Sequence, residues 1–407
     1  MDSPVEHLHV RRHNLSLVLR LLASHGPRSR AGVAELTGLT RATASSLIAE
    51  LIDRGLVKEV GLKSEQRVGR PATLVQLDGS HVATLGVEVD LGFISVLAND
   101  LSGTTLYRKR RTLSGGSTSF EDILPSLVRE MRRAITAVES MDARVAGASI
   151  AIPGIVDMDR GVVRRAPNLG WKDAPLGRRL RAEFGDSLPI VLDNEANLSA
   201  LAEYHAGTSA GAQHLVYVLA VNGVGGGVVV GGELFRGASG AAGEVGHMTV
   251  QPRGSACACG STGCWETTVG LRALLAEAVP DIAEELLQDT RLSPEAKVKI
   301  VCTRAEAEDP LALKGLRTFG RWLGVGLANI VDVFNPDVVI LGGFLPAVAP
   351  WTMDEAQRAF RANAMSESAG ACRIELSSLG WAAGAMGGTM LAAERLFLDP
   401  TLVPSTA

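Results

Sequence analysis

The chain has 407 residues, 46% of them apolar and 21% charged, a globular composition that excludes a wholly disordered chain and suits two or three domains. The net charge of −4 is unevenly spread: residues 1–77 carry 11 Lys and Arg against 7 Asp and Glu, and the remainder carries 29 against 37. A small basic head on a larger acidic body confines polyanion binding to the head. The opening Met1-Asp2-Ser3-Pro4-Val5-Glu6 lacks the basic-then-apolar order of a signal peptide. Leu215–Gly232, the longest uncharged apolar stretch, is broken by Asn222 and glycines and makes a poor membrane span. These features predict a soluble, cytoplasmic protein with no membrane partner.

In the head, residues 12–24 read as an amphipathic helix with Leu15, Val18, Leu19 and Leu22 on one stripe, ended by His25-Gly26-Pro27. Ser29 is an N-cap for a short second helix holding Val33, Ala34 and Leu36, which stops at Gly38. Thr40 caps a third helix from Arg41 to about Arg54, with Leu47, Ile48, Leu51 and Ile52 inward and Gly55 just past its end. This is helix-turn-helix spacing. The third helix opens with small polar residues that leave a major groove unobstructed. Arg41 suits bidentate reading of guanine, while Thr40, Thr43 and Ser45 suit base edges or phosphates. Leu56–Val60 and Thr73–Leu77 predict a hairpin whose loop carries Lys63, Arg67 and Arg70, a wing for backbone or minor groove. The alternative is a three-helix docking domain whose charges are merely solvated. Asp78-Gly79-Ser80 reads as a hinge, separating a DNA-binding domain of residues 1–80 from a body of residues 81–407.

The body alternates short Val/Ile/Leu/Ala runs with helical stretches, an α/β texture. Strands are expected at 84–89, 93–99, 145–152, 190–192, 216–221, 226–230 and 338–341, and helices at 119–138, 196–206, 269–278, 310–333 and 382–397. A strand–hairpin–helix theme opens near residue 84 and again near 216. It predicts two related lobes around a cleft, roughly 81–195 joined by a returning helix near 382–397, and 196–381.

The most specific local signal is His247 with Cys257, Cys259 and Cys264. Three thiolates and an imidazole complete a tetrahedral shell suited to Zn2+, and with every position filled by protein the zinc is structural. Cys302 and Cys372 stand apart and are expected in the core. Glu244 and Glu266 flank the metal residues, and carboxylates fixed there form a rigid acceptor array for sugar hydroxyls. Ile152-Pro153-Gly154, Pro167-Asn168-Leu169-Gly170-Trp171 and Asp193-Asn194-Glu195 are further candidates to close the cleft; helix capping by Asp193 or Asn194 is the competing reading of the last.

Arg236–Met248, the Cys-x-Cys-Gly-x-x-Gly-Cys-x-Glu run at 257–266, Pro167-Asn168-Leu169 and Leu341-Gly342-Gly343 together resemble the ROK family (repressors, open reading frames and kinases) over nearly the whole chain. The winged head and Gly69-Arg70-Pro71 are similar to its repressor branch, xylose-repressor-like or N-acetylglucosamine-repressor-like, and Asn194-Glu195 with Asn-Leu-x-Trp resembles the xylose-repressor-like members. The resemblance implies an actin-like, ribonuclease-H-like two-lobed sugar-kinase fold, with Asn168, Asn194, Glu195, Glu244, His247 and Glu266 lining a sugar site beside the zinc. It also implies a sugar-responsive repressor acting as a homodimer or homotetramer on a palindromic operator.

The departures from that pattern concern catalysis. Family kinases carry Asp-x-Gly-Gly-Thr in the first phosphate hairpin, where this chain has Asp90-Leu91-Gly92-Phe93-Ile94. The second hairpin, Asn222-Gly223-Val224-Gly225, keeps glycines without the usual hydroxyl. Glu195 stands where those kinases have their Asp base, and displacing a carboxylate by about 1 Å costs on the order of a hundredfold in rate. Sugar recognition without phosphoryl transfer is the expectation; an ATP-dependent sugar kinase with a DNA-binding appendage is the alternative.

Overall fold

In the computed structural model, which describes residues 4–62, 73–113, 118–206 and 212–405, the head begins with α1 (Pro4–His25). Ser29 caps α2 (Arg30–Thr37) by accepting the Gly32 N–H at 3.1 Å, and Gly38 ends it in the left-handed region. Thr40 caps α3 (Arg41–Asp53) through the Thr43 N–H, also at 3.1 Å. Val33 and Ala34 are buried, whereas Leu36 stays exposed. Strands β1 (Arg28–Ser29), β2 (Val57–Leu62) and β3 (Thr73–Leu77) pair in the order β1-β3-β2, completing a winged helix. The expected wing cations Arg67 and Arg70 lie outside the described residues.

The expected hinge at Asp78-Gly79-Ser80 is instead a pinned corner. Asp78 is buried; its N–H donates to Leu56 O at 2.9 Å, and its carboxylate accepts from the Ser80 hydroxyl at 2.8 Å and Lys58 Nζ at 3.1 Å. The physical reason lies in the core. The apolar cluster built on Leu15, Leu19, Ile48 and Leu51 runs on into Val82, Ala146, Leu396 and Val403 of the body, so bending the joint would expose apolar surface.

The body repeats one topology. The first sheet comprises β4 (Val82–Asp90), β5 (Phe93–Asp100), β6 (Thr105–Thr112), β7 (Arg144–Ile152) and, after a three-stranded excursion of β8 (Ile155–Asp157), β9 (Val162–Ala166) and β10 (Trp171–Ala174), β11 (Ile190–Asn194). The second comprises β12 (His214–Ala220), β13 (Val224–Val230), β14 (Glu233–Leu234), β15 (Val338–Gly343) and β16 (Arg373–Leu376). Their orders, β6-β5-β4-β7-β11 and β14-β13-β12-β15-β16, correspond: three antiparallel strands, then two parallel to the first. This is the two-lobed, actin-like α/β architecture.

Helices cover the sheets. α4 (Phe120–Glu139) packs on β5 and β7, while α5 (Leu176–Phe184) lies beside β9 and β11. α6 (Glu195–Ala206) leaves β11 directly and packs on β12, β13 and the final long helix of the chain. α7 (Glu266–Val269), α8 (Leu271–Ala278), α9 (Ala283–Gln288), α10 (Pro294–Glu306), α11 (Pro310–Phe334), α12 (Leu345–Asn363) and α13 (Ser366–Ala371) form the second lobe's helical layer. α14 (Ala383–Leu398) returns across β4 and β7 and against α6. β4 is buried along its whole length because helices cover both faces, and the burial takes in Thr84, Glu88 and Asp90 as well as its apolar residues. Cys302 and Cys372 are half-buried at the core's margin. No helix among the described residues is long and apolar enough to cross a membrane.

Candidate functional site

The ligand atoms of His247, Cys257, Cys259 and Cys264 all lie within 4.8 Å of one another. Burial raises the Cys257 and Cys264 thiols above the usual range, while the Ser261 N–H lowers Cys259. A divalent cation displaces such protons, and three soft sulfurs with one imidazole are the donor set that Zn2+ prefers. Nδ1 of His247 faces Cys257 Sγ at 3.6 Å, and Nε2 faces Glu244 Oε2 at 3.7 Å. The imidazole therefore has one edge toward the thiols and the other toward the cleft.

A cavity of about 140 Å³ adjoins this cluster, and its wall includes Asn168, Asn194, Glu195, Glu244, His247 and Glu266. The turn Pro167–Leu169 between β9 and β10 brings Asn168, whose side chain makes no hydrogen bond among the described residues. Asn194 and Glu195 sit where β11 becomes α6. Oδ1 of Asn194 accepts the Ala196 and Asn197 N–H groups at 2.8 and 3.1 Å, and Nδ2 donates to Gly154 O at 2.9 Å. Asn194 thus caps the helix as well as lining the cavity. Gly154 has φ +114°, and a Cβ there would come within 2.2 Å of Arg165 O, so only glycine brings that carbonyl to Asn194. Asp193 is buried and held by Arg236 at 2.8 Å, which makes it part of the scaffold.

The carboxylates are arranged as acceptors. Glu266 Oε2 takes the Val224 N–H at 3.2 Å. Glu195 lies inside the wall with Oε2 buried and without a hydrogen-bond partner among the described residues; burial, then the nearby Asp90 charge, raises its pKa well above the ordinary range. Burial also raises Glu244. A buried orphan oxygen at a cavity wall is a group that a ligand hydroxyl can satisfy. The sequence marks Asp90 and Asn222 only as hairpin residues and does not single out Arg165, yet all three line the cavity. Arg165 Nη2 donates to Cys259 O at 3.0 Å, tying β9 to the metal loop across the cleft. Asn222 Nδ2 approaches Asp90 Oδ1 at 3.4 Å, joining the two hairpin turns. The mirrored positions of those hairpins were the available signal.

On the head, Thr40 and Arg41 are exposed at the start of α3, and Thr43 and Ser45 are half-buried. The Arg41 guanidinium has no partner among the described residues. Ala42, Ser46 and Ala49 complete a small, exposed outer face. Arg30 spans Ser45 O and Glu59, each at 3.0 Å, fixing α3 against the wing.

A winged helix joined to a two-lobed sugar-kinase scaffold, with a polar cavity beside a His/Cys3 knot, defines a DNA-binding regulator derived from sugar-binding machinery. The ROK family profile matches residues 84–395, and the MarR family profile matches residues 16–67. This chain belongs to the ROK family. It is 30% identical over 391 residues to the xylose repressor of Bacillus subtilis, covering 96% of this chain and 97% of that protein. A crystal structure of a ROK family transcriptional regulator, described as a homolog of the Escherichia coli Mlc protein, matches with TM-score 0.80 and 25% identity over 97% of this chain and 99% of that one. A ROK family glucokinase from Streptomyces griseus, in complex with glucose and AMPPNP, matches with TM-score 0.64 and 30% identity over 77% and 99%.

Proposed function

We propose that the chain is a sugar-responsive transcriptional repressor that holds a free sugar between its lobes and does not phosphorylate it. The observation that carries this reading is the convergence of Asn168, Asn194, Glu195, Glu244, His247 and Glu266 on one cavity, in a chain whose head is a winged helix. Carboxylates and amides accept and donate to hydroxyls, and His247, Cys257, Cys259 and Cys264 would hold a structural zinc that braces them. The head (residues 1–80) would meet a palindromic operator through Thr40, Arg41, Thr43, Ser45 and the wing cations Arg67 and Arg70, with a homodimer or homotetramer supplying the symmetry. The body (residues 81–407) would carry the effector. For the sugar to regulate, it must bind the operator-competent and incompetent states unequally.

The first hairpin supports the non-catalytic reading. Phe93, at a phosphate-loop glycine position, is 1% exposed and lies under the Arg110 guanidinium, 4.0 Å from its ring centroid. Arg110 also stacks on Trp381 at 5.0 Å and pairs with Glu295 at 3.0 Å, so side chains from both lobes meet over the hairpin. The glucokinase likeness favours the second reading, a kinase with a DNA-binding appendage. Two measurements separate them. Fluorescence anisotropy on DNA from the intergenic region beside the gene should show sugar-dependent affinity, weakened about tenfold or more by Arg41→Ala with sugar affinity unchanged. Coupled ADP release should stay at background across aldoses; sugar-dependent ATP turnover would replace this reading with the kinase one.

A further inference from the structure

A second cavity of about 700 Å³ lies against the effector cavity, and the two share Asn168, Asn222, Gly223 and Glu266 as wall. At Gly223 that boundary is bare backbone packed directly against the Glu266 and Asn168 side chains. A Cβ on Gly223 would come within 2.6 Å of Glu266 Oε2 and 2.9 Å of Asn168 Nδ2, and the residue is not in the left-handed region, so space rather than backbone conformation calls for glycine. Asn168, whose amide makes no hydrogen bond among the described residues, can donate to one side of the boundary and accept from the other. Beyond it, Thr267, Gln251 and Ser255 offer hydroxyl and amide groups, Arg272 a cation, and half-buried Trp322 an apolar ring that has the Arg321 guanidinium over it at 5.1 Å.

The charges restrict what fits. With Glu195 held neutral by burial, Asp90, Glu244 and Glu266 still line the first cavity against Arg165, and Glu277 and Glu284 line the second against Arg272. A phosphorylated or carboxylated ligand would meet more like than opposite charge. A single ring in the smaller cavity leaves the larger one to water.

Building on the sugar-binding reading above, we infer that the effector is an uncharged disaccharide or short oligosaccharide: one ring sits among Glu195, Glu244 and Glu266, the next lies over Trp322, and Asn168 hydrogen-bonds at the junction. The second cavity is then a subsite that discriminates glycosides from free monosaccharides.

Isothermal titration of the full-length protein, with zinc supplied, against D-xylose, xylobiose, D-glucose and cellobiose tests this. One disaccharide should bind at least tenfold tighter than its own monosaccharide. Ala276→Trp, at an exposed position of α8 that lines the second cavity, should erase that advantage and leave the monosaccharide affinity unchanged, and Arg272→Ala should weaken only the disaccharide. Equal or tighter binding of both monosaccharides overturns the subsite while leaving a sugar-responsive regulator intact, as does a disaccharide advantage that survives both substitutions. Failure of all four sugars to bind overturns the sugar reading itself, and the subsite with it.

Discussion

Cys257 Sγ lies 3.0 Å from Glu266 Oε1, so a member of the His/Cys3 cluster touches a wall of the candidate sugar cavity. The same carboxylate holds the Val224 N–H through its other oxygen, which places the knot, the acceptor and the second hairpin in one chain of contacts. Losing the metal should therefore loosen the cavity without touching the head. Cys259→Ala is expected to purify without zinc and to lose sugar affinity by about tenfold or more, the cost typical of removing support around a metal site. Operator affinity without sugar should hold. Elemental analysis and sugar titration check both, and wild-type sugar affinity in a zinc-free variant would detach the knot from recognition.

The end of the recognition helix is fastened to the chain's last turn. Arg54, at the C-terminus of α3, donates to Val403 O, and Arg144 on β7 donates to Arg54 O at 2.8 Å and Pro404 O at 2.9 Å. That tail follows α14, which packs on α6, and α6 begins at Glu195 in the cavity. Arg144→Ala should leave sugar and operator affinities near wild type when each is measured alone, but shrink the factor by which one changes the other. Linkage makes the coupling reciprocal, so the sugar's effect on operator binding and the operator's effect on sugar binding must fall by the same factor. Anisotropy titrations with saturating sugar, and sugar titrations with saturating DNA, measure the two arms. An unchanged factor would mean that coupling runs elsewhere.

The His/Cys3 cluster and the helix caps are readable because they are local. Three cysteines fall within eight positions, and Ser29 and Thr40 each cap through an N–H three residues on. β6 escapes the same reading: Arg108-Lys109-Arg110-Arg111 has no apolar alternation, yet Arg110 pairs with Glu295 of the second lobe and Arg111 with buried Glu130 of α4. α12 escapes because Pro350 inside it argues against a helix, whereas α10 had a legible cap in Ser293 followed by Pro294. Asp90 reaches the cavity from the end of β4, Arg165 from β9 and Asn222 from the turn between β12 and β13, a meeting that only the tertiary fold creates. The pinned corner at Asp78 was hidden likewise, since its anchors come from residues far along the chain.

Two buried carboxyls near the end of β4 titrate against stability. Burial raises Glu88 from 4.5 to about 8, helped by the neighbouring Asp90 charge, and burial raises Asp90 from 3.8 to about 6. For carboxyls whose folded pKa is raised, the stabilising contribution is complete below the unfolded values near 4 and is lost as pH climbs through 6 and then 8. The sugar-free protein should therefore melt at a lower temperature at pH 8.5 than at pH 5.5. Glu88→Gln should flatten the upper part of that fall, between about pH 6.5 and 8.5. A melting profile across that range with the same slope in both proteins would show that Glu88 is not the group responsible.

Phe93 tests whether the first hairpin is a phosphate loop or a packed wall. A residue in an open loop changes stability by no more than about 0.5 kcal/mol when substituted. Phe93 is instead buried among Ala196, Ala200 and Tyr217 with Arg110 over its ring, so it joins the first lobe to the packing of α6 and β12. Phe93→Ala should destabilise the body by about 3–5 kcal/mol, the usual cost of emptying a buried aromatic site. Part of that belongs to the cation–π contact, worth about 0.5–2 kcal/mol. A double-mutant cycle with Arg110→Ala, followed by chemical denaturation of the body, should give a coupling of that size. Independent effects of the two substitutions would mean that the stacked pair does not hold the lobes, and the hairpin would then be free to receive a phosphate.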